Sequence, residues 1–155
     1  MVRVMATGVF DLLHTGHVHF LTEARRLGDE LVVVVARDST ARRFKHETIM
    51  GEASRVQLVA ALKPVDRAVL GNEGSIYEIL DEIRPDVIAL GFDQIHNEDK
   101  ILEECRRRGL ATKVVRLPKF EGDLDCTRKI VRKVAEWLAL QEKLQAVEGG
   151  KRPPA

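Results

Sequence analysis

The sequence of 155 residues is poor in cysteine, in aromatic residues and in net charge. Two cysteines, Cys105 and Cys126, are too few for a disulfide framework and predict reduced thiols in a cytoplasmic protein. The formal net charge of +1 gives no electrostatic support for a nucleic-acid partner or a membrane surface. No apolar run approaches the length of a membrane-spanning helix, and no signal peptide is recognisable at the N-terminus.

The composition that remains is that of an ordinary globular protein, with 45% apolar and 32% charged residues. The length suits one domain that is large enough to bury a core. We predict that residues 1–147 form this domain. Residues 148–155 read EGGKRPPA and are predicted to be a disordered C-terminal tail.

Short apolar runs alternate with segments of helical periodicity along the chain. The run at residues 31–36, LVVVVA, is unbroken, which is typical of a strand buried on both faces of a parallel sheet. We therefore expect an α/β fold: a single Rossmann-like domain with a five-stranded parallel sheet and helices on both faces. The other predicted strands cover residues 2–6, 67–70, 87–90 and 113–117. The predicted helices cover residues 16–27, 52–62, 75–84, 99–109 and 125–145, and residues 41–51 are predicted to be a basic surface loop.

The stretch MATGVFDLLHTGHVH, residues 5–19, joins the first strand to the first helix and lies where open α/β sheets bind ligands. Gly8 and Gly16 lack a Cβ, so backbone N–H groups there can approach a phosphate closely. His14 and His17 are three residues apart and can face one point beyond the helix start. Imidazole N–H donors at that point can stabilise charge that grows on a phosphate during transfer. Asp11 can fix the loop or help to hold a metal.

Simpler explanations exist for each part of this stretch. Most turns between a strand and a helix contain glycine, and a histidine near a helix start is usually a solvated or capping residue. Three histidines (14, 17 and 19) with an aspartate can form a zinc site, although their spacing matches no standard zinc pattern. The complete combination is far more specific than any of its parts.

Together these residues resemble the G-x-F-D-x-x-H-x-G-H signature of the nucleotidyltransferase superfamily, which contains the cytidylyltransferases. The resemblance implies transfer of a nucleotidyl group from a nucleoside triphosphate to a phosphate-bearing acceptor. It further implies that His14 and His17 contact the triphosphate and stabilise the transition state. The neighbouring ATP-binding candidates that it implies are Val9, Phe10, Thr15 and Gly16, with Asp11 as a weaker one.

The resemblance also identifies candidates in later loops. Related cytidylyltransferases carry functional lysines after the second strand, where Lys45 is the nearest match and Arg42 and Arg43 are further candidates. Arg55, predicted on the polar side of its helix, corresponds to an arginine that can reach phosphates. Asp93 can accept a hydrogen bond from a base amine or a ribose hydroxyl, or can instead cap the next helix.

The start of the last helix is predicted to be a second phosphate-binding segment, with Thr127 and Arg128 as its candidate contacts. Related enzymes have hydroxyl residues where this chain has Asp125 and Cys126. A carboxylate there is unfavourable unless it caps the helix or binds a metal, and the Cys126 thiol is predicted to be reactive. Phe120, just before this helix, is the candidate for stacking on the nucleotide. We expect Trp137, in the apolar stripe of the helix, to be buried.

The segments GVFDLLHTGH, LVVVVARD, ALKPVD, LGFDQ and LPKFEGDLDCTRKI narrow the resemblance to the archaeal FAD synthase group over residues 2–135. This implies an enzyme that transfers AMP from ATP to FMN by direct in-line attack, giving FAD and pyrophosphate. It also implies a requirement for Mg²⁺ or another divalent cation, with no metal site made of protein side chains, and a homodimer. The alternatives are a cytidylyltransferase for a small phosphorylated alcohol such as glycerol 3-phosphate, and a nucleotide-sensing domain without turnover. Base preference is not visible in the residues themselves.

Overall fold

A computed structural model describes residues 1–44 and 47–149 of the chain. Strands and helices alternate along it, as the apolar pattern predicts. The elements are β1 (Arg3–Gly8), α1 (Thr15–Arg25), β2 (Glu30–Val35), α2 (Asp38–Arg43), α3 (Glu52–Ala60), β3 (Arg67–Leu70), α4 (Ile79–Ile83), β4 (Val87–Leu90), α5 (Glu98–Arg107), β5 (Lys113–Arg116) and α6 (Thr127–Val147).

The strands form one five-stranded parallel sheet in the order β3-β2-β1-β4-β5. β1 lies at the centre and pairs with β2 from Arg3 opposite Glu30 to Gly8 opposite Val35. On its other side β1 pairs with β4. The chain therefore continues from β1 to β2 on one side and from β4 to β5 on the other, and this reversal leaves a crevice at the carboxyl ends of β1 and β4. The predicted five-stranded parallel sheet is confirmed.

Helices cover both faces of the sheet because successive strand residues point to opposite sides. Val4 and Ala6 of β1 belong to one buried cluster, with Leu21 of α1 and Val59 of α3. Met5 belongs to a second cluster on the other face, which includes residues of α4 (Ile79, Leu80 and Ile83) and α5 (Ile101 and Cys105). The predicted Rossmann-like arrangement, with helices on both faces of the sheet, is confirmed.

Two local predictions are wrong. Residues 38–43, where we predicted the end of a strand and a surface loop, form the short helix α2. Asp38 in its first turn and two arginines in its last turn complement the helix dipole, which favours a helix in this polar segment. The helix predicted over residues 75–84 begins later, at Ile79 of α4, and Ser75 Oγ accepts from Tyr77 N at 3.2 Å in the turn before it.

The last helix differs from prediction in its burial. None of its residues is buried, and Trp137 is 58% exposed, so the prediction that Trp137 lies in the core is wrong. An apolar stripe indicates that a helix face favours a nonaqueous surface, and does not say whether its own domain supplies one. α6 ends at Val147, where the predicted tail begins, and residues 150–155 lie outside the described part of the chain. Among the helices of the described ranges, none has the length and apolar content needed to span a bilayer.

Candidate active site

The loop between β1 and α1 is shaped by Phe10. This residue is 3% exposed and belongs to the core cluster beneath the sheet, and its backbone has a left-handed φ of 54°. A Cβ built at Gly8 would lie 2.9 Å from the Phe10 ring. Glycine is therefore required at position 8 by the close approach of this ring, whereas the sequence suggested an approach to phosphate. Leu12 also has a positive φ, of 48°, so the loop holds two residues in a conformation that side chains rarely adopt.

His14 and His17 form a reciprocal cap at the start of α1. His17 N donates to His14 Nδ1, and His14 N donates to His17 Nδ1, each over 3.4 Å. The two rings are stacked, with centroids 3.7 Å apart and planes inclined by 23°. This geometry holds the two imidazoles side by side at the start of α1, and their contact with a triphosphate stays a prediction.

The cap also determines which nitrogens of the histidine pair carry protons. Because Nδ1 of each ring accepts a hydrogen bond, the proton of each neutral imidazole lies on Nε2. Burial and the neighbouring His14 lower the pKa of His17 to about 3, against a smaller opposing effect of Asp11. Burial likewise lowers the pKa of His14, and Asp125 partly opposes this shift. At neutral pH the pair therefore presents two adjacent, uncharged Nε2–H donors.

Asp11 fixes a loop, which was one of the two roles that the sequence left open. Its carboxylate oxygens accept from Ile49 N at 2.7 Å and Met50 N at 2.9 Å, and the residue is 8% exposed. Both oxygens are thus committed to the segment before α3. In the described part of the chain, no group of three or more histidine, cysteine and acidic side chains is arranged to hold a metal ion.

Arg55 is buried, so its predicted place on the polar side of the helix is wrong. Its guanidinium donates to Val9 O at 2.6 Å and to Met50 O at 3.0 Å. It also forms an ion pair with Asp38 at 2.7 Å, and this hydrogen bond holds the pKa of Asp38 below its ordinary value. A charged side chain with no exposed surface needs such partners. Three segments of the site edge are tied together by this one group.

The start of α6 packs directly on the histidine loop. Thr127 Oγ1 donates to Asp11 O at 2.7 Å, and a Cβ on Gly16 would lie 2.4 Å from Asp125 O. The two predicted phosphate-binding segments are thus brought together, and Gly16 is the residue that permits their contact. Arg128 is exposed in the first turn of α6, and Cys126 is the half-buried N-cap residue, whose side chain makes no capping hydrogen bond.

Asp125 stands where related enzymes have a hydroxyl residue, and neighbouring groups offset the negative charge of its carboxylate. Its carboxylate is 2.7 Å from Lys129 Nζ and accepts from Gly122 N at 3.1 Å. The ion pair with Lys129 lowers the pKa of Asp125. A carboxylate held in this way adds little repulsion to a nearby phosphate, since a cation and a backbone N–H already face it.

Two further candidates have environments that bear on their predicted roles. Phe120 stacks on His19, with centroids 4.5 Å apart, so one face of the ring is covered. Asp93 is exposed and does not cap α5, because Asn97 does so by accepting from Lys100 N. The helix-capping alternative for Asp93 is therefore wrong, and its contact with nucleotide stays a prediction. Lys45 lies outside the described residues.

Sequence reasoning missed Gln94. Its side chain accepts from Gly91 N at 2.8 Å and donates to Thr7 O at 2.7 Å, which ties the loop after β4 to the end of β1. The sequence feature that could have identified Gln94 is its position directly after the Gly-Phe-Asp turn at the end of a predicted strand. An amide there can satisfy backbone groups that the sheet leaves unpaired.

Comparison with known proteins finds similar sequences over most of this chain. The sequence model of the family described as cytidylyltransferase-like matches residues 5–144. The FAD synthase of Aciduliprofundum boonei is 61% identical over 137 residues, which cover 88% of this chain and 92% of that protein. The FAD synthase of Archaeoglobus profundus is 48% identical over 149 residues, which cover 96% of this chain and 94% of that protein.

Solved structures give the same fold. A crystal structure described as the lipopolysaccharide core biosynthesis protein from Thermoplasma volcanium superposes with a TM-score of 0.76 at 51% identity. It covers 78% of this chain and 99% of that one. The pantoate-beta-alanine ligase of Francisella tularensis, at 15% identity and a TM-score of 0.52, shares the fold alone.

The buried Arg55 predicts a large stability effect. Replacing Arg55 with methionine should lower the free energy of unfolding by about 2–4 kcal/mol, because Val9 O, Met50 O and Asp38 all lose a donor. Urea unfolding followed by circular dichroism measures this change. The matched control is Arg107→Met, which removes an arginine whose ion pairs on α5 are exposed and should cost less than about 1 kcal/mol. Equal losses in the two variants would contradict the role assigned to Arg55.

The depressed pKa of His17 predicts a pH-dependent stability. The unfolded chain binds a proton near the ordinary value of 6.5 and the folded chain only near 3, so this contribution is complete above pH 6.5 and is lost as the pH falls toward 3. Between these values the free energy of unfolding should fall by up to about 1.4 kcal/mol per pH unit from this group. His17→Asn should give a shallower profile in urea titrations at pH 4–7. Superimposable slopes for the two proteins would contradict the burial of a neutral His17.

Proposed function

This chain belongs to the cytidylyltransferase-like family, and we infer that it is an FAD synthase, which transfers the AMP moiety of ATP to FMN and releases pyrophosphate. Family membership supports nucleotidyl transfer as the reaction class. The FAD synthases that match most of this chain support ATP as donor and FMN as acceptor. The geometric observation that carries the mechanism is the reciprocal histidine cap, which presents two neutral donors at the carboxyl edge of the sheet.

The reaction requires no nucleophile from the protein. An oxygen of the FMN phosphate, ionised at neutral pH, attacks the α-phosphorus of ATP and forms the new phosphorus–oxygen bond. The bond from that phosphorus to the bridging oxygen breaks, and its electron pair leaves with pyrophosphate. What the protein supplies is orientation of the two phosphates and stabilisation of the charge that moves between them.

We assign charge stabilisation to the Nε2–H groups of His14 and His17. Both rings are uncharged in the free protein, so they contribute hydrogen bonds without placing a full charge in a half-buried site. The cap holds them in position before the triphosphate arrives, and such preorganised donors need no rearrangement during the reaction. The N-terminus of α1 adds unpaired backbone N–H groups at the same point.

Further contacts to the nucleotide are proposed for the start of α6, through Arg128 and the Thr127 backbone. The Thr127 hydroxyl already donates to Asp11 O, so it is committed to the loop before nucleotide binds. Lys45 remains a proposed catalytic residue from the family resemblance. Arg55 acts on the site as a positioning residue, through Val9 O and Met50 O.

The divalent cation is proposed to enter with ATP as part of the substrate. The nearby carboxylates are already engaged, Asp11 by two backbone N–H groups and Asp125 by Lys129. The described side chains therefore do not fit a protein-held metal site. Mg²⁺ commonly retains several waters and binds through substrate phosphates, which suits this arrangement.

We also propose that the enzyme works in the cytoplasm as a homodimer. Both cysteines are free thiols, as expected for a reducing compartment. The support for a dimer is an exposed apolar face on α6, formed by Val131, Val134, Trp137 and Leu138. A contiguous apolar surface of this kind favours association with a second surface.

The activity is tested by chromatography of a mixture of the protein with ATP, MgCl₂ and FMN under reducing conditions. We expect FAD and an equal amount of pyrophosphate, and no CDP-alcohol from a parallel mixture with CTP and glycerol 3-phosphate. A CDP-alcohol without FAD would identify a cytidylyltransferase. ATP binding with neither product would identify a nucleotide-sensing domain.

The histidine variants test the mechanism in the same assay. His14→Ala and His17→Ala should each lower kcat about 100-fold or more, the usual effect of removing one preorganised donor. Circular dichroism should show that both variants keep the fold. Turnover at the wild-type rate in either folded variant would remove that histidine from the mechanism.

The dimer is tested by sedimentation velocity. Wild-type protein should sediment as a dimer, and Leu138→Glu should be monomeric because a buried carboxylate disfavours the apolar contact. The matched control is Leu58→Glu, an exposed leucine on α3 outside the α6 face, which should leave the dimer intact. The single tryptophan, Trp137, gives a second readout, since its emission should shift to the red in the monomer. A monomeric wild-type protein would contradict the proposal.

A further inference from the structure

A cavity of about 300 Å³ opens at the carboxyl edge of the sheet, on the face that carries α4 and α5. Aliphatic side chains of the central strands make its floor. The floor residues are Met5, Val34, Ile88 and Leu90. Its volume is at the lower end of the range for small-molecule sites, which are concave and mostly apolar. The histidine pair does not line this cavity, so the steps described so far leave it without a function.

The mouth of the cavity exposes apolar side chains to solvent. Ile95 is 89% exposed, and Phe44, which also lines the cavity, is half-exposed. Tyr77 is a further lining residue, with Lys100 Nζ 5.5 Å from its ring centroid. Exposed aliphatic and aromatic groups around a concave surface are typical of a site that covers an apolar ligand.

A small number of polar groups complete the wall. Gln94 is already committed to Gly91 N and Thr7 O, so it shapes the wall. Asn72 and His96 also line the cavity and carry amide and imidazole groups suited to hydrogen bonding with ligand heteroatoms. The cavity thus combines an aliphatic floor with a few polar groups in its wall.

We propose that this cavity binds the isoalloxazine ring of FMN, an inference that rests on the proposed FAD synthase activity. The ring is flat and has two chemically different ends. Its dimethylbenzene end is apolar and matches the aliphatic floor. Its pyrimidine end carries carbonyl and N–H groups, which match Asn72 and His96.

The position of the cavity agrees with the in-line reaction. Gly8 and Val9 form part of its wall, and the same chain continues through Phe10 to the histidine loop. A flavin in the cavity would extend its ribityl phosphate along this segment toward the imidazoles. It would come from the sheet face that carries α4 and α5, whereas α1 lies on the other face. In-line displacement requires the nucleophile and pyrophosphate on opposite sides of the α-phosphorus, and the proposal meets this requirement with the triphosphate at the starts of α1 and α6.

Adenine matches the same cavity less well. It is smaller than the isoalloxazine ring and has no apolar end like the dimethylbenzene end, so it would cover less of the aliphatic floor. The nucleotide candidates Thr15, Thr127 and Arg128 belong to the α1 and α6 starts, and none of them lines the cavity. Val9 and Asp93, two predicted ATP contacts, are at the cavity wall, and the proposal places the boundary between the donor and acceptor sites there.

Two variants test the proposal through separate KM values for FMN and ATP. Ile95→Asp places a charge at the cavity mouth, and the native side chain is so exposed that its loss does not endanger folding. Ala36→Leu adds volume at the cavity wall. Each should raise the KM for FMN about tenfold while the KM for ATP stays within about twofold, since only binding of the acceptor ring is lost. The matched control is Val147→Asp, an aliphatic residue 85% exposed at the end of α6, which should change neither KM.

Two other results for the KM values would overturn the proposal. Unchanged KM values for FMN in both variants, with FAD formed by the wild-type protein, would place the flavin elsewhere. A raised KM for ATP with an unchanged KM for FMN would place adenine in the cavity.

Riboflavin separates this proposal from the proposed function, because it has the ring and lacks the reacting phosphate. Quenching of its fluorescence measures ring binding whether or not FAD is formed. Binding to wild-type protein that is weakened about tenfold in Ile95→Asp would support the cavity even if no FAD appeared. Equal riboflavin binding by both proteins, or none by the wild type, would overturn it.

Discussion

The site depends on one buried cation. The Arg55 guanidinium, from α3, reaches the carbonyl of Val9 in the histidine loop, and Asp11 in that loop accepts from the segment just before α3. Both sets of bonds run from donors in α3 or just before it to acceptors in the histidine loop. Because a buried charge is costly when any partner is lost, the loop and the segment are held to one arrangement. The histidine pair is built on that arrangement.

The side-chain donors that the histidine pair presents to a phosphate are uncharged imidazoles. A histidine that is buried and hydrogen-bonded at Nδ1 loses its charge but keeps a directed Nε2–H, which is useful beside a phosphate whose charge changes during transfer. The acidic residue that this chain carries at Asp125 does not oppose that role, because Lys129 and Gly122 N already face it. The positive ends of α1 and α6 then meet at one edge through the contact between Gly16 and Asp125.

The sheet order separates the two sides of the reaction. The connection after β1 runs to β2 and the connection after β4 runs to β5 on the opposite side, so a crevice forms where β1 and β4 end, with a different helix layer on each face of the sheet. The α1 side carries donors for phosphate, and the side of α4 and α5 carries an apolar cavity. Both sides share β1 and the tight loop that follows it. Gly8 and Val9 therefore line the cavity and also lead directly into the histidine loop.

The sequence by itself determined the strands, most of the helices and the histidine pair. Strand and helix periodicity reflect neighbours within four residues, and two histidines three apart on one helix start need no distant contact to meet. The tertiary structure alone decided that Arg55 is buried, that Trp137 is exposed, and that Asp11 holds a loop. Apart from Met50, the side-chain partners of Arg55 and Asp11 named above lie 17 to 46 residues away in the sequence. Exposure of a helix face depends on what the fold places opposite it. Local pattern carries no information on such distant partners, because it is chain topology that brings them together.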